Sequence, residues 1–164
     1  MAVEIGAVAP EFTLQDANEN QGYSLTEALA RGPVLLGIYK SSCQASKTAF
    51  PFLERISQVY PGEHFTVWGV SQDSANVTRS FARRYNITFP LLLDENDYQV
   101  SRAYDIQATP SLFLLNRDGQ VVFQGMGFQK PAMNELSAAV AELLQADAVD
   151  ITEGTDDVPG WVPG

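Results

Sequence analysis

The chain has a single cysteine, Cys43, and its neighbours decide what chemistry it can do. It lies within residues 33–53, PVLLGIYKSSCQASKTAFPFL. Residues 34–38 are apolar or glycine and Tyr39 closes the run, as in a strand buried on both faces. Lys40, Ser41 and Ser42 break the pattern, and Ala49, Phe52, Leu53, Ile56 and Tyr60 then recur at helical spacing. Cys43 is therefore expected where a buried strand turns into a helix, with Ser41 or Ser42 as the N-cap. A cysteine in a first helical turn meets unpaired backbone N–H groups and the positive end of the helix dipole. Both favour the thiolate, which is the nucleophile. A lone cysteine is more often a small buried hydrophobe. The strand-to-helix position between polar neighbours reverses that reading.

The elements that must position Cys43 follow from the rest of the chain. Phe12 and Leu14 alternate with polar residues in a short strand; residues 16–22 are a turn-rich tip, and residues 23–25 pair back as a hairpin. Ser24 or Thr26 caps a short helix ending at Gly32. Pro61 and Gly62 stop the Cys43 helix, and residues 65–70, FTVWGV, are the next buried strand. Residues 74–85 are predicted helical, with Val77, Phe81 and Tyr85 on one face and Arg79, Arg83 and Arg84 on a solvated surface. Tyr98, Arg102, Ala103 and Tyr104 lie in a short helix with Ile106 just beyond it. Residues 113–115 and 121–124 form a hairpin around Asp118-Gly119. Residues 130–144 close the domain as a helix with Pro131 in its first turn and Met133, Leu136, Val140, Leu143 and Leu144 inward.

LLGIYKSSCQAS resembles the active-site segment of thioredoxin-like proteins, in particular TlpA/ResA-like redoxins related to AhpC/TSA. In that family a buried strand ends in a polar turn and Cys-x-x-Cys opens a helix. Cys43 matches the first, attacking cysteine; Ser46 stands where the second, resolving cysteine would be. Pro51 matches the proline that kinks the helix in thioredoxin. The tryptophan usual before the first cysteine is Ser42, and the buried acid six residues before it is Gly37. Other stretches carry the same resemblance: Ala9-Pro10-Glu11-Phe12-Thr13-Leu14, Ser71-Gln72-Asp73, and Phe89-Pro90-Leu91-Leu92-Leu93-Asp94. In Ala108-Thr109-Pro110-Ser111 the resemblance implies a cis Thr109–Pro110 bond packed against the cysteine, whose backbone presents a partner chain in an extended pose. It also implies that residues 125–128, with Gly127 and Phe128, face the active-site helix.

The fold implied is α/β, thioredoxin-like, with a central mixed β-sheet flanked by helices on both faces and an N-terminal β-hairpin extension. Residues 1–145 form that domain. Residues 146–164 change composition: Asp147, Asp150, Glu153, Asp156 and Asp157 lack basic neighbours, and Pro159, Gly160, Pro163 and Gly164 oppose regular structure. They read as a flexible acidic tail, with Trp161 the candidate for docking it.

At 164 residues the chain is expected to be one domain able to bury a core without staples. One cysteine allows no intrachain disulfide and fits a reducing compartment. No leader segment is visible, so a cytoplasmic location is expected; a processed exported protein with a replaced start Met would look the same. The net charge of −10 argues against nucleic acid or an anionic membrane as partner. No cofactor or metal is expected: His64 and Cys43 alone make no metal cluster.

The expected function is a thiol–disulfide oxidoreductase-type redox protein acting on protein or small-molecule thiols and disulfides, as a monomer or weak dimer. Cys43 and Ser46 are the catalytic positions; Ser42, Gln44, Thr109, Pro110, Gly127 and Phe128 are the substrate-binding ones. Lys40 is a candidate to stabilise the thiolate, against the plainer reading of a solvated lysine. Ser46 is either native, giving a monothiol mechanism, or a Cys-to-Ser change. Two alternatives remain. One is a one-cysteine peroxiredoxin-like antioxidant protein, although that family's Pro and Thr/Ser places hold Leu36 and Lys40 here. The other is a redox-inactive thioredoxin-fold binding module.

Overall fold

The computed structural model describes residues 3–18 and 21–164. β1 (Thr13–Gln15) and β2 (Gly22–Ser24) pair antiparallel; the expected tip between them lies partly outside the described residues. Ser24 then caps α1 (Leu25–Arg31), its hydroxyl accepting the Glu27 N–H at 3.3 Å. β3 (Val34–Tyr39) is buried at every position, as an uninterrupted apolar run requires. α2 (Gln44–Val59) crosses over to β4 (Thr66–Ser71), which lies parallel to β3. α3 (Ala75–Tyr85), β5 (Leu91–Leu93) and α4 (Gln99–Ala103) follow, then the hairpin β6 (Ser111–Leu115) and β7 (Val121–Met126). β8 (Phe128–Gln129), α5 (Lys130–Leu144) and β9 (Trp161–Val162) complete the chain. The main sheet has order β5-β4-β3-β6-β7, with β3 parallel to β4 and antiparallel to β6. This is the expected mixed α/β sheet with an N-terminal hairpin.

The pleat of β3 sends its side chains to two separate cores. Leu35 and Tyr39 join α2, α5, Phe81 and Phe89; Val34, Leu36 and Ile38 join Phe12, Leu14, Trp68 and Tyr104 under the N-terminal hairpin. α2 comes very close to the sheet because Gly37 and Gly69 stand side by side in the β3–β4 register. A Cβ on Gly37 would lie 3.2 Å from Phe50 Cζ, and one on Gly69 3.0 Å from Phe50 Cε2. The two glycines thus make the trough that seats Phe50, whose full burial contributes roughly 1.5–3 kcal/mol. No acid stands in this place; an aromatic ring fills it.

Several expectations change in detail. The buried stripe of α3 runs through Thr78 and Phe81, while Val77 is 43% exposed. Thr78 can be buried because its hydroxyl pairs with Ser71 Oγ at 2.7 Å. Arg79 is not simply solvated: its guanidinium donates to the Ala17 carbonyl at 2.6 Å and pins the N-terminal hairpin. Tyr98 precedes α4 in a left-handed conformation, and buried Asp94 satisfies the helix start by accepting the Val100 and Ser101 N–H groups at 2.9 and 2.8 Å.

The tail is the largest difference. Residues 149–158 are laid along α2 and α5 rather than extended into solvent. Ile151 and Thr155 are buried, and Val158 and Val162 pack on the main core. Arg55 donates to the carbonyls of Ile151 and Glu153 at 2.9 and 3.2 Å, and Lys130 donates to those of Thr155 and Val158. Asn134 Oδ1 accepts the Ile151 N–H at 2.9 Å. The acidic side chains stay in solvent while Ile151 and, in part, Val158 turn inward. Trp161 is not the anchor; its side chain is 63% exposed.

Among the described residues no helix is long and apolar enough to cross a membrane.

Candidate active site

Cys43 is itself the N-cap of α2, with φ −83° and ψ 124°, and makes no capping bond through its side chain. Ser41 and Ser42, the caps expected from composition, lie in the turn before it. That turn is closed by the Cys43 N–H donating to the Lys40 carbonyl at 3.1 Å. The end of β4 holds it in place: Asp73 Oδ2 accepts the Ser41 N–H at 2.8 Å, and the Gln72 N–H donates to the Tyr39 carbonyl at 3.0 Å. Asp73 in turn is oriented by its own N–H donating to Ser71 Oγ at 3.1 Å. The cysteine therefore sits on a rigid corner between two parallel strands and a helix. Pro51 lies inside α2, which continues through it to Val59.

The Thr109–Pro110 bond is cis, and the Cys43 thiol donates to the Thr109 carbonyl at 3.2 Å. Partial burial works against ionisation of Cys43. It is outweighed by the Thr109 side chain, the Ser46 N–H and hydroxyl, and the Ala45 N–H, which hold the thiol below its ordinary value. The bond from thiol to carbonyl acts in the opposite sense, because ionisation breaks it. The N–H groups of the helix start already lie beside the sulfur and favour its charged form. Ser46 is fully buried, and its hydroxyl makes no hydrogen bond of ordinary geometry. It stands near enough to the sulfur to favour the anion, yet has nothing to bind in the neutral state.

The expected site residues separate into two groups. Cys43, Ser46, Thr109 and Pro110 are brought together at the start of α2, with Ser42 and Gln44 exposed on either side of the thiol. Gly127 is joined to Pro110, its N–H donating to the Pro110 carbonyl at 2.9 Å, but it is buried beneath the tail. Phe128 is fully buried with its ring centroid 5.3 Å from that of Phe52. Its side chain supports α2 and offers no surface to a partner. Lys40 is exposed and is not among the groups that hold the thiol down. His64 lies at the start of β4, the opposite end of the parallel pair from Cys43. Asp73 is the positioning residue that sequence reasoning passed over, although the Ser71-Gln72-Asp73 stretch had marked its place.

A thioredoxin fold with a half-buried cysteine at the start of its second helix is the architecture of a redoxin. The chain matches the model of the AhpC/TSA family over residues 5–124, and it belongs to that family. The thiol-disulfide oxidoreductase ResA of Geobacillus thermodenitrificans is 31% identical over 122 residues, 73% of this chain and 68% of the relative. The ResA of Bacillus subtilis is 33% identical over 127 residues, 74% of this chain and 66% of the relative. In fold the chain is similar to a putative thiol:disulfide interchange protein DsbE from Chlorobium tepidum, with TM-score 0.78 at 24% identity, covering 87% of this chain and 99% of that one. It is also similar to a putative protein disulfide isomerase from Bacteroides thetaiotaomicron, with TM-score 0.79 at 22% identity over 88% of this chain and 95% of that one.

Proposed function

We propose that the protein is a thiol–disulfide oxidoreductase in which Cys43 is the attacking nucleophile and an external thiol completes each cycle. The observation that carries this reading is the half-buried Cys43 sulfur at the start of α2, 3.2 Å from the Thr109 carbonyl, with Ser46 in the following turn. The family and its ResA relatives support the class of reaction.

In the first step the Cys43 thiolate attacks one sulfur of a partner disulfide. A Cys43–partner disulfide forms, and the other partner sulfur leaves as a thiolate and takes a proton from water. In a dithiol protein the second cysteine would attack next. Ser46 cannot: its hydroxyl is un-ionised near neutral pH and forms no disulfide. A thiolate from a small molecule or another protein must attack the mixed disulfide, restoring Cys43 and carrying the disulfide away. One disulfide is consumed and one formed, so no further oxidant or reductant is needed. Peroxidase chemistry is less well supported, since Leu36 is buried in the sheet and Lys40 is exposed. Neither presents a hydroxyl beside the sulfur.

The test is the reaction of the folded protein with a chromogenic aromatic disulfide between pH 5 and 10. Release of one thiolate per chain, with a midpoint below the free-thiol value of about 8.5, is expected. A thiol that reacts only after unfolding would leave the binding-module reading in its place.

A further inference from the structure

We infer that residues 160–164 are a displaceable strap seated where an extended polypeptide partner docks, so that the chain competes with its partner for the Thr109–Pro110 turn. This rests on Cys43 being the nucleophile, as proposed above.

The strap reaches the site by its backbone. β9 pairs antiparallel with β8, Val162 opposite Phe128 and Trp161 opposite Gln129, and the Lys130 N–H donates to the Gly160 carbonyl at 2.8 Å. Two residues further on, Gly164 abuts the active-site turn. A Cβ on Gly164 would stand 2.4 Å from the Thr109 carbonyl oxygen and 3.0 Å from Ala108 Cβ. That oxygen is the one the Cys43 thiol touches. Gly127 lies beneath, with room for no side chain, since a Cβ there would be 3.0 Å from Gly164 N and 3.2 Å from the Val162 carbonyl oxygen. Pro110, Gly127 and the end of the strap are thus stacked in direct contact. Any chain lying along the Thr109–Pro110 backbone must take the space that residues 162–164 fill.

The strap is held firmly at its root and lightly at its tip. Residues 149–158 are anchored by buried Ile151 and Thr155 and by Arg55, Asn134 and Lys130. Beyond Pro159 the segment keeps a short backbone ladder, the half-buried Val162 and an exposed Trp161. Pro163 has no N–H and cannot lengthen the ladder. A two-stranded ladder this short is marginal without further packing. Its bonds run from backbone to backbone, so another extended peptide can form them equally well by strand addition. The partner that fits is an extended or unfolded segment carrying a disulfide, laid along β8. A small disulfide has no need of that edge and reaches the half-buried sulfur with the strap in place.

A chain ending at Pro159 keeps the anchored root. Its Cys43 is tested, beside that of the full chain, with a small aromatic disulfide and with a short extended peptide whose single cysteine is activated as the same mixed disulfide. The truncation is expected to speed the peptide reaction about tenfold, the factor lost with a few edge hydrogen bonds, and to leave the small-disulfide rate within about twofold. A peptide of residues 160–164 added to the truncated chain should slow the peptide reaction again. Val162→Asp in the full chain, which drives the tip off the core, should reproduce the acceleration if the truncated chain does not fold. Equal rates for both chains with the peptide, or the same acceleration with both reagents, would overturn the strap. A folded chain inert to both reagents, truncated or not, would instead remove the nucleophile reading itself.

Discussion

At its C-terminal end α2 runs into Tyr60, whose hydroxyl accepts the Val149 N–H at 2.9 Å and is bonded to Ser137 Oγ at 2.8 Å. Ser137 Oγ in turn donates to the Val149 carbonyl at 2.6 Å. Every polar atom of that buried knot has a partner. At the N-terminal end of the same helix, Cys43 gives no side-chain cap and the buried Ser46 hydroxyl lacks a bond of ordinary geometry. The satisfied end stabilises, because buried polar groups with partners rigidify a core. The unsatisfied end keeps its donors free for a charge that appears only when the thiol ionises. One helix thus carries structural and chemical duty at opposite ends.

The sharpest way to alter this contrast is Ser46→Cys. A second sulfur one turn from Cys43 should resolve the mixed disulfide internally. Disulfide reduction without added small thiol should rise roughly a hundredfold over wild type, since an intramolecular group acts at a high effective concentration. Steady-state reduction of a protein disulfide by a catalytic donor measures this; Cys43→Ser should show none.

Tyr60→Phe should break the satisfied end. It strands the Val149 N–H and costs about 1–3 kcal/mol in denaturant unfolding. Alkylation of Cys43 should be unaffected. A loss under about 0.5 kcal/mol would mean that the tail root is dispensable.

Ser46→Ala should act in the opposite direction, because the hydroxyl it removes is unpaired in the neutral state. Stability should rise by up to about 1 kcal/mol below pH 7, while the alkylation midpoint of Cys43 moves upward. A downward move would show that Ser46 opposes the thiolate.

The smallest effect is the pH dependence of stability contributed by Cys43. Its folded pKa is lowered, so this contribution is full above the unfolded value of about 8.5 and is lost as pH falls through the folded one. Cys43→Ala should flatten the stability curve across that interval and nowhere else.

The centre of the fold could be read from residues because its periods are clean: the apolar run of β3, the helical spacing of α2 and the Asp118-Gly119 turn. Cys43 and Thr109–Pro110 could be read because motif and topology coincide there. Asp73 could not, since its role exists only when β4 lies parallel to β3 and brings residue 73 against Ser41. Resemblance alone places Phe128 facing the active-site helix, as a partner contact; that it is instead wholly buried against Phe52 depends on where α2 lies. The docking of 149–164 was hidden by its charge. Ile151, Val158 and Val162 follow no regular period, and the side chains that hold the segment at Ile151, Val149 and Val158 (Arg55, Tyr60 and Lys130) come from α2, its cap and the start of α5.

A single-thiol mechanism is tested most directly by the intact mass of the folded protein after exposure to excess small disulfide at neutral pH. Wild type is predicted to carry one adduct, on Cys43, stable until an external thiol is added. Ser46→Cys is predicted to carry none and to be lighter by two hydrogens through an internal disulfide. A wild-type chain without adduct, or a Ser46→Cys chain that keeps one, would contradict it.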